Sequence, residues 1–164
     1  MTEQYIQQYG PRLFALALKL CRNREDAEDL YQETWLKAYR FFDRYDPEKD
    51  FAAWLTSICV NAYRDMLRRQ RWRGLLTVFH SNEDKDFAMA NIPAREGEDH
   101  SDVREAVNGL PEKYRLAVIL HYYNGLDLKK TAQVLAIPEG TVKYHLHKAR
   151  EILKRRLAAD EPAG

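Results

Sequence analysis

The feature that most constrains this chain is the place where its helical periodicity stops. Apolar residues recur at intervals of three and four along residues 2–73 and again along 102–157, and strand-like alternation is almost absent. Between them runs "GLLTVFHSNEDKDFAMANIPAREGEDHS", polar and acidic, with six Asp/Glu against two Lys/Arg. A gap of that length without periodicity reads as a tether and not as a loop inside one compact domain. The pattern predicts an all-α chain of two small helical domains joined by a flexible acidic linker. The boundaries are 1–73, a linker at 74–101, a second domain at 102–158, and a tail at 159–164.

Within the first domain, a helix over Thr2–Arg22, with Pro11 as a possible bend, buries Leu13, Leu16, Ala17 and Leu20. Asn23, three residues before Asp26, is placed to cap a second helix that runs to about Tyr45 and buries Ala27, Leu30, Thr34, Ala38, Phe41 and Phe42. "DRYDPEKD" then forms a loop, broken by Asp46-Pro47. Asp50 caps a third helix that reaches Arg73, just before Gly74. In the second domain a short helix opens at Ser101 or Asp102. Another runs from Pro111 to Asn124-Gly125, and Asp127 caps "LKKTAQVLA".

The last segment, "PEGTVKYHLHKAREILKRR", holds six Lys/Arg and two Glu in a chain whose formal net charge is only +1. As a helix it buries Val142, Leu146, Ala149, Leu153 and Leu157. Its other side then presents Lys143, Tyr144, His147, Lys148 and Glu151, with Lys154 and Arg155 beyond. A basic amphipathic helix alone is equally a solvated face of a bundle. Here a short helix and a break precede it, with Ala132 and Leu135 set to pack on Val142, which is the outline of a helix-turn-helix. Early residues of such a helix reach base edges, while Lys and Arg also meet phosphates. Thr141 and backbone amides at the helix start are further phosphate donors. His145 and His147, two apart, point to different sides of a helix and do not make a metal site.

The third helix, "DFAAWLTSICVNAYRDMLRRQRWR", buries Phe51, Trp54, Leu55, Ile58, Ala62 and Met66 and turns Ser57, Asn61, Arg64 and Arg68 outward. Five arginines and one Asp lie between Arg64 and Arg73, interleaved with Trp72. Guanidinium planes and aromatic faces suit unpaired bases. The second helix differs: Glu25, Asp26, Glu28, Asp29 and Glu33 crowd its first three turns. Part of that acid complements the helix dipole. The rest, with Gln32 and Trp35, makes a polar surface suited to a basic protein partner.

Other classes find little support. No apolar run approaches a membrane span, and "MTEQYIQQYG" lacks the basic end and apolar stretch of a signal peptide, so a cytoplasmic protein without membrane insertion is expected. Cys21 and Cys59 form no CxxC pair and fall in apolar helical patterns, so packing is their expected role. No nucleophile–base pairing, Gly-rich phosphate loop or metal-ligand spacing appears, so neither catalysis nor a cofactor or metal is expected. Two rivals remain to a DNA-opening role: a stand-alone helix-turn-helix regulator, and a helical interaction protein. The first leaves the Arg-rich helix and acidic face unexplained. The second does not need two DNA-facing stripes.

From about Tyr9 to Leu157 the sequence resembles bacterial sigma factors of the extracytoplasmic-function (ECF, sigma-70 group 4) family. "REDAEDLYQETWLKAY" is similar to the family's core-polymerase-binding segment, and "FAAWLTSICVNAYRDMLRR" to its −10 melting and recognition helix. "GLPEKYRLAVILHYYNGLDLKKTAQVLAIPEGTVKYHLHKAREILKRR" is similar to region 4, which reads the −35 element. The resemblance implies a transcription-initiation subunit that binds core RNA polymerase, double-stranded −35 DNA and single-stranded −10 DNA, and that is held silent by an anti-sigma factor. It places Asp29, Gln32, Glu33 and Trp35 on the polymerase. Asp43, Tyr45 and Phe51, in or beside the 43–50 loop, fall at the −10 strand with Ser57, Asn61, Arg64, Asp65 and Arg68. Thr141, Lys143, Tyr144, His147 and Lys148 fall at the −35 element. The linker is implied to thread toward the polymerase active-site cleft. Ala136 stands where the family usually has a turn Gly, Tyr144 where a small Ser is common, and "LDLKK" where the family is more acidic.

Overall fold

The computed structural model describes residues 3–78 and 101–159, and every element among them is helical. The chain divides into two compact units, 1–93 and 94–164. Most of the expected linker lies outside the described residues.

The first unit is a three-helix bundle of α1 (Glu3–Leu20), α2 (Arg24–Phe41) and α3 (Phe51–Val78), with α2 packed on both neighbours. Asn23 caps α2: its side-chain oxygen accepts from the Asp26 amide at 2.7 Å. Asp50 does the same for α3, accepting from the Ala52 amide at 3.1 Å. The core is built from Leu13, Leu16, Ala17 and Leu20 of α1, Ala27, Leu30, Thr34 and Ala38 of α2, and Leu55, Cys59, Val60, Ala62 and Tyr63 of α3. Gly10 allows α1 to approach α2 closely, since a Cβ there would stand 3.0 Å from the Tyr31 hydroxyl.

Two boundaries differ from expectation. The α-helical part of α2 ends at Phe41, and a single 3₁₀ turn, Phe42–Arg44, carries the chain into the loop. Helix α3 does not stop before Gly74 but continues to Val78. A lone glycine costs a helix only about 1 kcal/mol, and neither a proline nor a capping residue follows it at once. Trp54, Ile58 and Met66, expected in the core, are half-buried, as are Phe41 and Phe42.

The second unit comprises α4 (Ser101–Asn108), α5 (Glu112–Val118), α6 (Leu128–Leu135) and α7 (Glu139–Ala159), and α7 packs against the other three. Helix α5 runs on into a π turn, Ile119–Tyr123, closed by the Asn124 amide on the Ile119 carbonyl at 2.9 Å. Gly125 follows in the left-handed region. Asp127 caps α6 through the Lys130 amide at 2.7 Å. Val142, Leu146 and Ala149 form the buried stripe of α7; burial of each Val or Leu contributes about 1.5–3 kcal/mol. Leu153 and Leu157 are half-buried. Arg115 is fully buried, and its guanidinium donates to Asn108 Oδ1 and lies 3.6 Å from Glu112. At the far end of α7, the Arg156 head covers Gly109, so that a Cβ there would meet it at 2.5 Å.

The turn between α6 and α7 sets the orientation of the last helix. Ala136 adopts φ 57°, ψ 44°, and the amides of Ala136 and Ile137 return to the Gln133 and Ala132 carbonyls. This is a Schellman motif with alanine at the left-handed position, where glycine is the usual occupant. The Thr141 and Val142 amides then both donate to Pro138 O, which starts α7.

Candidate nucleic-acid interface

In the second unit, α7 turns Lys143, Tyr144 and His147 outward, opposite Val142, Leu146 and Ala149. Tyr144 is 53% exposed. The surface is tied along the helix. Glu151 accepts an ion pair from Lys148 at 3.3 Å and lies 3.3 Å from His147 Nε2. Lys148, and His147 more weakly, hold the Glu151 carboxyl below its ordinary range. Lys148 also lies 5.8 Å from the centre of the Tyr144 ring. Lys143 has no such pairing among the described residues. Thr141 is half-buried, and its amide is spent on Pro138 O.

His145, next to this face, points inward. Its Nδ1 is buried without a hydrogen-bond partner among the described residues, and its ring packs at 5.3 Å on Tyr114 and 6.2 Å on Tyr144. Burial, and then the Lys113 ammonium, lower its pKa. On the other side, Arg150 reaches the Tyr122 hydroxyl at 3.0 Å.

In the first unit, α3 exposes Asn61 and Arg68 and half-buries Ser57, Arg64 and Asp65. Ser57 donates its hydroxyl to the Ala53 carbonyl at 3.1 Å. Burial and the neighbouring Arg68 lower the Arg64 pKa. Toward its end α3 carries exposed Arg68, Arg69, Arg71 and Arg73 around Trp72, itself 65% exposed. That combination of cations and a bare indole fits stacked, unpaired bases.

The loop between α2 and α3 rests on a cluster of aromatic rings. Phe51 is only 5% exposed and packs on Tyr5 at 4.6 Å, Tyr9 at 4.7 Å, Tyr45 at 5.4 Å and Trp54 at 5.5 Å. Phe51 therefore supports the loop from below and is not itself presented to a ligand. Tyr45 donates its hydroxyl to the Lys49 carbonyl at 2.6 Å, closing the loop, and Asp46 accepts from the Glu48 amide at 3.0 Å. Asp43 is exposed.

On α2, Asp29 and Gln32 are exposed and Glu33 is half-buried. Trp35, expected on the same polar surface, is 8% exposed and packs on Tyr31 inside the bundle. The reason is its register beside Thr34, on the buried side of α2. The outward apolar residues are instead Leu36 and Tyr39, each 69% exposed, which the polar pattern of α2 does not single out. The sequence also gave no sign of the pairing between α2 and α3. Arg69 Nη2 lies 3.3 Å from both Glu33 carboxylate oxygens, and Lys37 lies 3.5 Å from Glu33 and 3.4 Å from Asp65. Arg68 closes on the other Asp65 oxygen. Arg68 first, and Lys37 with it, hold the Asp65 carboxyl below its ordinary range against the opposing effect of partial burial.

No helix among the described residues is long and apolar enough to cross a membrane. No group of three or more metal-ligating side chains occurs among them.

Residues 5–73 match the model of sigma-70 region 2 and residues 100–153 that of sigma-70 region 4. The chain is 34% identical over 161 residues to the ECF RNA polymerase sigma factor SigE of Mycolicibacterium smegmatis, covering 95% of this chain and 61% of that one. It is 30% identical to the RNA polymerase sigma factor CarQ of Myxococcus xanthus, covering 94% and 88%. The fold is similar to that of the sigma factor RpoE of Bartonella quintana, solved with the anti-sigma factor NepR. That likeness has a TM-score of 0.76 and 29% identity, and covers 97% of this chain and 98% of that one.

Proposed function

The chain belongs to the ECF sigma factors of the sigma-70 family, and from that premise we propose that it binds core RNA polymerase and directs it to promoters without catalysis of its own. The observation that carries this reading is that each unit exposes its own cationic helix face, α3 with Trp72 in one and the start of α7 in the other.

The roles follow from what each face offers. Asp29, Gln32 and Glu33 are the polar contacts for a basic polymerase surface, with Trp35 holding their helix from within. Asn61, Arg64 and Arg68 face the opened −10 strand. The 43–50 loop, with Asp43 at its lip and Tyr45 closing it, receives an unstacked base, and Phe51 and Ser57 brace it. Trapping such a base offsets part of the unstacking cost of a few kcal/mol. Lys143, Tyr144, His147 and Lys148 meet the −35 duplex in the major groove, and Thr141 positions their helix. Two weak contacts then add through effective concentration once polymerase fixes the spacing between them. An anti-sigma factor is the expected antagonist, and the cytoplasm the place of action.

The test is run-off transcription with purified core polymerase on a promoter library. The reading expects transcripts from a defined subset of promoters, lost on Lys143→Glu. Transcription that is unselective, or unchanged by that substitution, overturns it.

A further inference from the structure

The face assigned to polymerase and the face assigned to DNA are joined. Five side chains of alternating charge run from α3 across α2 and back: Arg69, Glu33, Lys37, Asp65 and Arg68. The contacts are Arg69–Glu33 at 3.3 Å, Lys37–Glu33 at 3.5 Å and Lys37–Asp65 at 3.4 Å, with Arg68 on Asp65. Glu33 thus binds two cations at once, one from its own helix and one from the Arg-rich end of α3. Gln70, one residue on, reaches Asp26 at 3.1 Å, so the end of α3 lies along the acidic side of α2.

We infer that Arg69 is a further phosphate-contacting residue of this factor, kept in reserve by Glu33 and released when the polymerase takes that carboxylate. A docking partner that supplies its own cations to Glu33 leaves the Arg69 guanidinium with no carboxylate, beside exposed Arg68, Arg71 and Trp72. A strand phosphate is the counter-ion that the neighbouring cations concentrate there. Lys37 keeps Asp65 as a partner and so stays in place. The bias is modest because the pair is partly exposed: Arg69 is 58% and Glu33 30% exposed. An ion pair of that kind shifts an equilibrium by about two- to fivefold. Its effect is to make the free chain hold single strands more weakly than the polymerase-bound chain does.

The inference rests on the reading that Glu33 docks polymerase, and the experiment separates the two. The full chain and its Glu33→Gln variant are titrated with short fluorescent oligo(dT) across a range of NaCl, and each is titrated with core polymerase. Glu33→Gln should bind oligo(dT) about two- to fivefold more tightly. It should also steepen the slope of log affinity against log salt by about 0.7, the signature of one more neutralised phosphate on a single strand. Glu25→Gln removes the same charge from the same helix and should leave that slope alone. In an Arg69→Gln background, Glu33→Gln should no longer change it. An unchanged slope in Glu33→Gln, an equal change in Glu25→Gln, or persistence without Arg69 overturns the inference. Full polymerase affinity in Glu33→Gln overturns the docking role of Glu33 and the trigger with it, while the slope arms still report whether Arg69 is held.

Discussion

Substituting Ala136→Gly should stabilise the second unit, and the size of the gain follows from one backbone angle. Ala136 sits at φ 57° with its side chain exposed, so the substitution removes no packing. An L-residue in the left-handed region costs roughly 1–2 kcal/mol, whereas glycine enters it freely. Glycine in turn gives the unfolded chain more freedom, which takes back about 0.4–1 kcal/mol. The remainder is a gain of about 0.5–1 kcal/mol, or about 2–8 °C in Tm for a unit of this size. Ala136→Val should move the other way, because a branched Cβ is least tolerated at positive φ. Thermal unfolding followed by circular dichroism reads the whole chain. All three tryptophans, Trp35, Trp54 and Trp72, precede residue 79, so their emission follows the first unit alone and serves as the internal reference. A Tm for Ala136→Gly at or below that of the parent, together with an undisturbed Ala136→Val, refutes the left-handed turn.

Three other substitutions or titrations probe buried groups. Arg115→Ala should cost about 3–5 kcal/mol in denaturant unfolding, since it opens a cavity and strips Asn108 and Glu112 of a fully buried cation; a cost under about 1 kcal/mol would contradict this. Burial pushes the Cys59 thiol from 9.0 up to about 12, against a small lowering by Thr34. The folded state therefore holds this proton more tightly, and the stability it confers is lost as pH rises from about 9 to about 12; in the native chain Cys59 should react with an alkylating reagent only as fast as the chain unfolds. The His145 pKa is lowered, so its contribution is present above the ordinary histidine range and lost as pH falls through the folded value. Melting temperature should accordingly fall on acidification below about pH 6.5, and His145→Phe should flatten that dependence.

Much of the architecture was legible because local chemistry decides it. Asn23, Asp50 and Asp127 each cap the helix they were expected to cap, and Asn124-Gly125 ends the fifth helical segment where the pattern stops. The left-handed Ala136 was visible as an alanine at a glycine position. Lys143, Tyr144 and His147 emerge on the outer side of α7 because Val142, Leu146 and Ala149 fix its rotation. The misreadings occur where tertiary register takes over. Trp35, expected on the polar surface beside Gln32, is drawn into the core by the size of its ring, whereas Phe51 is buried as its place in the helical pattern predicts. Gly74 was read as a stop, but one weak helix former does not end a helix of this length. The π turn inserts a single residue that no periodicity reveals, and the Arg69–Glu33 pair depends on how two helices slide past one another.

The most direct measurement is the affinity of the full chain for a promoter fragment at physiological salt, with and without core polymerase. The account predicts weak, unselective binding by the free chain, and a footprint over both the −35 and −10 elements only in the presence of polymerase. Nanomolar, promoter-selective binding by the free chain would contradict it.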